Sequence, residues 1–142
     1  MNELIDPFLE QQTYASFACL DELGNPYCFT CFYAINLQEG LLYFKSSLNT
    51  KHGSLLQINP TIAGTVLPDK LNKLQIKGIQ LEGTIMPLDD ILTRSAANYY
   101  YKRNPLAVAV SGEIWTVKIN KIKFTDNTLG FGKKIIWERN PK

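Results

Sequence analysis

Between residues 43 and 60 the chain reads Tyr-Phe-Lys-Ser-Ser-Leu-Asn-Thr-Lys-His-Gly-Ser-Leu-Leu-Gln-Ile-Asn-Pro, and its polar side chains are of the kinds that hold an anion. Lys45, Ser46, Ser47, Asn49, Thr50, Lys51 and His52 crowd the end of a short apolar strand, Leu41–Phe44. A short helix with Leu55, Leu56 and Ile58 follows, and Asn59-Pro60 stops it. A helix start leaves N–H groups unpaired and carries a partial positive charge, so hydroxyls and a lysine around it suit a phosphate. Asn49 and Thr50 are equally the usual types for a plain helix cap. Spacing alone leaves both readings open.

Other chemistry-bearing residues are fewer. His52 is the sole histidine, and no single carboxylate can be named as its partner for general-base work. No Ser-His-Asp order, paired general-acid carboxylates or metal-ligand cluster is evident. Cys28-Phe-Thr-Cys31 has the spacing of redox and zinc sites. It lies in Tyr27–Ile35, an apolar and aromatic run that reads as a buried strand, where residues three apart point to opposite faces. No second cysteine pair exists, and the redox and zinc readings are rejected. Gly130-Phe-Gly-Lys-Lys134 lacks the GxxxxGK[ST] spacing of a phosphate loop. It reads as a turn that lets the C-terminal segment fold back.

The elements that must position these residues are mostly strands. Asn2–Gln12 reads as a helix with Leu4, Ile5, Phe8 and Leu9 at helical spacing. Tyr14–Leu20 and Tyr27–Asn36 flank Asp21-Glu-Leu-Gly-Asn-Pro26, a hairpin signal, and Leu41–Phe44 extends them to a three-stranded meander. Thr61–Leu67 and Leu74–Met86 follow as strands, the second bent at Gly78 and Gly83. Leu88–Asn104 reads as a helix with Leu88, Ile91, Leu92, Ser95 and Tyr99 on its core stripe. That phase places Tyr100 and Tyr101 outside the stripe, as candidates for a dimer surface. Leu106–Val110 reads as a buried segment. In Glu113–Phe124, Trp115, Val117, Ile119 and Lys121 alternate against Ile114, Thr116, Lys118 and Asn120, and a loop-like tail follows. About six strands with short helices at ends and corner predict a mainly β (α+β) fold, a small barrel with helical caps.

A chain of 142 residues fits one domain, 1–142, with a real core. No apolar stretch approaches a membrane span, and the acidic start Met-Asn-Glu-Leu-Ile-Asp is unlike a secretory signal. The expectation is a cytoplasmic protein with reduced thiols and no membrane partner. Residues 1–50 hold six acids against Lys45, a net of −5, while residues 118–142 hold seven bases against two acids, a net of +5. That asymmetry favours anionic ligands or antiparallel self-association and is too mild to argue for nucleic acid.

Taken together, the Gly-Asn-Pro turn, the aromatic strand, Leu-Tyr-Phe-Lys-Ser-Ser, Thr-Lys-His and Asn-Pro-Thr-Ile-Ala-Gly-Thr-Val resemble the pyridoxamine-phosphate-oxidase-like split β-barrel family. Ile76–Gly83 and above all Lys123-Phe-Thr-Asp-Asn-Thr-Leu-Gly-Phe-Gly-Lys-Lys134 look like its uncharacterised YhbP-like branch. The resemblance implies a six-stranded split barrel that forms a homodimer and binds FMN in clefts at the dimer interface. It implies further that Ser46, Ser47, Thr50, Lys51 and His52 stand where the family's oxidases hold the FMN phosphate. His52 replaces the second cation of that run. Gly78 and Gln80 stand where the oxidases carry a flavin-contacting Gln and an Arg, and the oxidases' C-terminal Arg-Leu-His has no counterpart. Pyridoxamine phosphate oxidation is therefore not the expected reaction.

On the same resemblance, Phe29–Phe32 runs along the flavin ring with Thr30 or backbone groups at its polar edge, or else packs in the core, which is the reading preferred for Phe32. Trp115 and Gln80 either approach the flavin from the partner strands or are structural. The expectation is a flavin-dependent oxidoreductase whose chemistry belongs to the cofactor. The alternative is a non-catalytic module for flavin, another phospho-ligand or haem, for which His52 is the one histidine available.

Overall fold

The Asp21–Pro26 turn forms because one side chain can close it: the Asp21 carboxylate accepts from the N–H groups of Leu23 (2.9 Å) and Asn25 (2.8 Å). It joins β1 (Tyr14–Leu20) to β2 (Pro26–Asn36), and β3 (Leu41–Ser46) continues the meander. The chain then makes α2 (Lys51–Ile58), following α1 (Ile5–Gln11) at the N-terminus, and strands β4 (Thr61–Val66), β5 (Lys77–Ile85), β6 (Glu113–Asp126) and β7 (Lys134–Glu138). This computed structural model describes residues 1–130 and 132–140. Phe131, in the Gly130–Lys134 segment read above as a turn, lies outside the described residues.

All strand pairings are antiparallel, in the order β3-β2-β1-β4-β5-β6-β7, and β3 also pairs with β6. That extra pairing closes six strands into a barrel and leaves β7 outside it. The length of β6 makes both possible. Its first half, Glu113–Lys118, lies against β3, and its second half serves β5 and β7. The tail read as loop-like therefore ends in a seventh strand, held by Arg139, whose guanidinium donates to the carbonyls of Glu39, Gly40 and Ile119. Within the Lys123–Lys134 block, Asn127 clamps the neighbouring turn: its side chain accepts from Ile76 N–H (2.9 Å) and donates to the Leu74 carbonyl (3.2 Å).

Inward residues of all six barrel strands, among them Phe17, Leu42, Phe44, Ile62, Ile79, Leu81 and Trp115, pack with Ile5 and Leu9 of α1 and Leu55 and Leu56 of α2. Burying each such side chain stabilises the fold by roughly 1.5–3 kcal/mol. Opposite Glu82 and Gly83 the register of β6 slips, so that Lys121 and Ile119 are the partners and Asn120 is left over. A bulge inverts the alternation that follows it. Trp115, Val117 and Ile119 face in before the slip, Ile122 and Phe124 after it, and Lys121 faces out rather than sharing the face of Trp115.

Other expectations change where the helix phase breaks. Leu88–Asn104 is not one helix. Asp90 caps a 3-10 turn, Ile91–Thr93, and α3 begins only at Ala96 and runs to Arg103. Restarting there puts Ala96 and Tyr100 on the buried side, four residues apart. Tyr100 is 3% exposed against Ala34, Leu41 and Tyr43, so it is a packing residue and not a dimer-surface candidate, while Tyr99 is partly exposed. Leu106 is 90% exposed and Val108 and Val110 are exposed too, because Pro105–Ala109 is a surface 3-10 turn. The Leu74–Met86 strand is shorter than expected, and residues 72–75 form a tight turn before it.

Candidate functional site

Strand β3 delivers Ser46 to the corner and α2 delivers Thr50–His52. Thr50 caps α2: its hydroxyl accepts from Gly53 N–H (3.0 Å) and donates to the Ser47 carbonyl (2.9 Å). That tight turn needs a glycine at 53, since a Cβ there would stand 2.6 Å from the Ser47 carbonyl oxygen. The Thr50 proton is thus committed inside the protein. Ser46 Oγ lies 2.6 Å from His52 Nε2 and 3.4 Å from Thr50 Oγ1. The His52 ring stacks on Phe29 of β2, centroids 3.9 Å apart and planes 6° from parallel. Burial lowers the His52 pKa, which keeps the imidazole neutral at neutral pH.

Ser46, Thr50 and His52 are therefore brought together as expected, and Ser47 stands beside them. Lys51 reaches elsewhere, its ammonium 4.5 Å from the centre of the Tyr27 ring. The backbone N–H groups of Lys51 and His52 have no protein partner among the described residues. Donors of this set, with Ser47 Oγ (which accepts from Asn49 N–H at 3.2 Å and keeps its own proton), match the oxygens of a phosphate.

Trp115, read either as a flavin contact or as structural, faces the core. It is 2% exposed and stacked on Phe44. Its contribution to the corner is the indole N–H, which donates to the Ser46 carbonyl at 2.9 Å. Thr30 and Gln80 lie on the outer barrel wall in one cross-strand row: Thr30 faces Ser16, Ser16 faces Thr65, Thr65 faces Gln80 and Gln80 faces Lys123. Three strand spacings, about 14 Å, separate Thr30 from Gln80. One chain does not bring them to the same small ring. The aromatic strand read as buried is half open, with Cys28, Thr30 and Phe32 outward and Tyr27, Phe29 and Cys31 packed on the core. Cys28 and Cys31 thus face opposite ways, as the alternation requires.

Lys45, counted in the sequence among the polar residues crowding the strand end, has a structural role that the sequence did not show. Its ammonium donates to Tyr101 Oη (2.8 Å), the Ala107 carbonyl (2.7 Å) and the Val110 carbonyl. It stitches the Pro105–Val110 turn to the end of β3 through three neutral acceptors. Only the long-range fold brings residues 45 and 101–110 together, so no local signal announced it. The turn so held forms one wall of a cleft of about 720 Å³ that includes Ser46, Ser47, Phe32, Tyr100 and Arg103 and has no carboxylate in its lining. A smaller groove holding Thr30 shares Phe32, Lys45 and Tyr100 with it.

Comparison with solved structures defines the fold further. A heme binding protein from Mycobacterium smegmatis matches with a TM-score of 0.76 at 14% identity, over 92% of this chain and 55% of that one. A FAD-binding protein from Mesorhizobium loti matches at 0.67 and 17%, over 89% and 95%. A protein related to general stress protein 26, of the pyridoxinephosphate oxidase family, from Clostridium acetobutylicum matches at 0.67 and 14%, over 95% and 92%. At these identities the likeness is one of fold, and the chain is a split-barrel protein.

No protein-family model matches the chain. It is 39% identical over 137 residues to UPF0306 protein plu4501 of Photorhabdus laumondii, covering 96% of this chain and 95% of that protein. It is 38% identical over 136 residues to UPF0306 protein YE0465 of Yersinia enterocolitica, covering 96% and 92%. The chain belongs to the UPF0306 family. Among the described residues no helix is long and apolar enough to cross a membrane, and no group of three or more His, Cys, Asp or Glu is placed to hold a metal ion.

Proposed function

We propose that this protein binds FMN as a cytoplasmic homodimer of the YhbP-like branch and acts as a flavin-dependent oxidoreductase. The observation that carries the reading is the corner itself: hydroxyls and free N–H groups beside a cleft whose lining has two cations and no acid. Ser46, Ser47 and the α2 N-terminus would hold the phosphate, with Lys51 swinging from Tyr27 to join them. Thr30 and Phe32 would border the ring, and Gln80, too far along the wall of its own chain, would belong to the site of the partner subunit. Bound FMN would supply hydride acceptance and delivery. The protein's part is to anchor the phosphate and to leave beside it, for a substrate, a cleft whose lining carries no acid. Fold neighbours named as FAD-binding and as an F420 reductase are compatible with this reading.

The haem form of a non-catalytic module is less favoured. The one histidine, His52, already has its Nε2 engaged by Ser46 and its ring stacked on Phe29, so ligating iron through Nε2 would first break that hydrogen bond.

Titration of the purified protein with FMN, followed by flavin fluorescence, tests the proposal. Saturable binding that weakens by roughly 1–3 kcal/mol in a Ser47→Ala, Lys51→Ala variant is expected, one or two charge-assisted contacts being lost. Colourless protein that takes up no added FMN overturns it. With FMN bound, reoxidation of the reduced flavin by an added acceptor separates an enzyme from a binding module.

A further inference from the structure

The pairing of Ser46 with His52 decides which proton is available to a ligand. When the Ser46 hydroxyl donates to a neutral imidazole Nε2, its one proton is turned inward, and an anion at the corner meets only its lone pairs. Thr50 cannot compensate, because its proton is held by the Ser47 carbonyl. A proton added to Nε2 reverses the bond. Nε2–H then donates to Ser46 Oγ, the Ser46 proton is released toward the corner, and a positive charge appears beside it.

We propose that His52 takes up a proton from solvent as a phosphate monoester enters the corner, so that the site selects a terminal, doubly charged phosphate. This rests on the FMN reading and adds to it a charge-state rule. The stack on Phe29 holds the ring in place, so the response is a change of protonation and not a swing of the side chain. The charged groups around it leave that role to the ligand. On α2, Lys51 is drawn to Tyr27. On β3, Lys45 is bound to the Pro105–Val110 turn. On β6, Glu113 faces Ser46 across the strand pair, and Asp21 sits in the β1–β2 turn. None of the carboxylates among the described residues forms an ion pair with His52. Burial that disfavours the imidazolium in the free protein is in keeping with a proton arriving only with the anion.

Calorimetric titration of FMN at pH 7.5, in phosphate-free buffers of different ionisation enthalpy, counts the protons taken up. About one per FMN is expected, with affinity falling ~10-fold from pH 7 to pH 8, where the ligand is already a dianion. FAD, whose phosphates are diesters, is expected to bind more weakly and to take up none. His52→Gln and His52→Lys should each bind FMN with a flat pH profile over that range, and the lysine variant guards against a folding defect in the other. FMN binding by the wild type without proton uptake, or the same slope in either variant, overturns the proton linkage and leaves the FMN reading standing. Absence of FMN binding in the wild type overturns both.

Discussion

Trp115 and Ser46 are joined by a hydrogen bond between an indole N–H in the barrel core and a strand-end carbonyl, at 2.9 Å. They lie on paired strands, β6 and β3, where Trp115 faces Phe44 and Ser46 faces Glu113. The bond holds the backbone of Ser46 while its side chain addresses His52, so the core sets the geometry of the corner.

Trp115→Phe keeps an aromatic ring in the core and removes the donor. Losing one hydrogen bond to a half-buried carbonyl costs about 0.5–1.5 kcal/mol, and the lost ring volume adds to that. Urea denaturation should show a loss of that order. FMN affinity should fall as well, since the Ser46 hydroxyl is no longer held in place. A variant as stable as the wild type would show that the bond contributes nothing.

Gly83→Ala tests the barrel wall at the bulge. A Cβ at Gly83 would stand 2.7 Å from Val117 Cγ1 and 2.9 Å from the Lys118 carbonyl oxygen. The first contact can be relieved by trimming Val117, but the second is backbone. Overpacking of this kind costs roughly 1–3 kcal/mol. Thermal unfolding of Gly83→Ala and of Gly83→Ala, Val117→Ala should both show destabilisation, whereas full rescue by the second change would place the clash on the side chain alone.

The three cysteines should separate in reactivity. Cys28 is exposed, whereas Cys31 is partly covered and burial pushes its thiol up to about 11. At pH 8 only about 0.1% of such a thiol is thiolate, the form that reacts. Cys19 is buried and its pKa is raised by burial and then by Cys28. Titration with a chromogenic disulfide should label one thiol quickly in the folded protein and the others on unfolding. Linkage adds a pH effect. In the unfolded chain Cys31 ionises near its ordinary 9.0, and in the folded protein it keeps its proton up to about 11. Stability contributed by that difference is whole below 9 and declines as pH rises through this window. Cys31→Ala should flatten the decline.

Much of the barrel can be read locally. The β1–β2 hairpin follows from Asp21, Gly24 and Asn25, the end of α2 from Asn59-Pro60, and the hydroxyl-rich corner from its own composition. Each depends on bonds between residues a few positions apart. Ser46, Thr50 and His52 were legible for the same reason, since one strand end and one helical turn carry them all.

What the sequence by itself determined is this set of short-range features, together with the resemblance that names a split barrel. Tertiary structure decided which way side chains face and what distant residues share. One leftover residue, Asn120, turns Lys121 from the inner face to the outer, and one restart at Ala96 exchanges Tyr99 for Tyr100 in the core. Periodicity carries no mark of either, because a strand slip or a helix break shifts the phase without changing the residues. The Lys45 stitch and the Trp115 bond exist only once β3 meets β6 and the barrel closes, and the distance of about 14 Å between Thr30 and Gln80 is set by the pairing of β2, β1, β4 and β5.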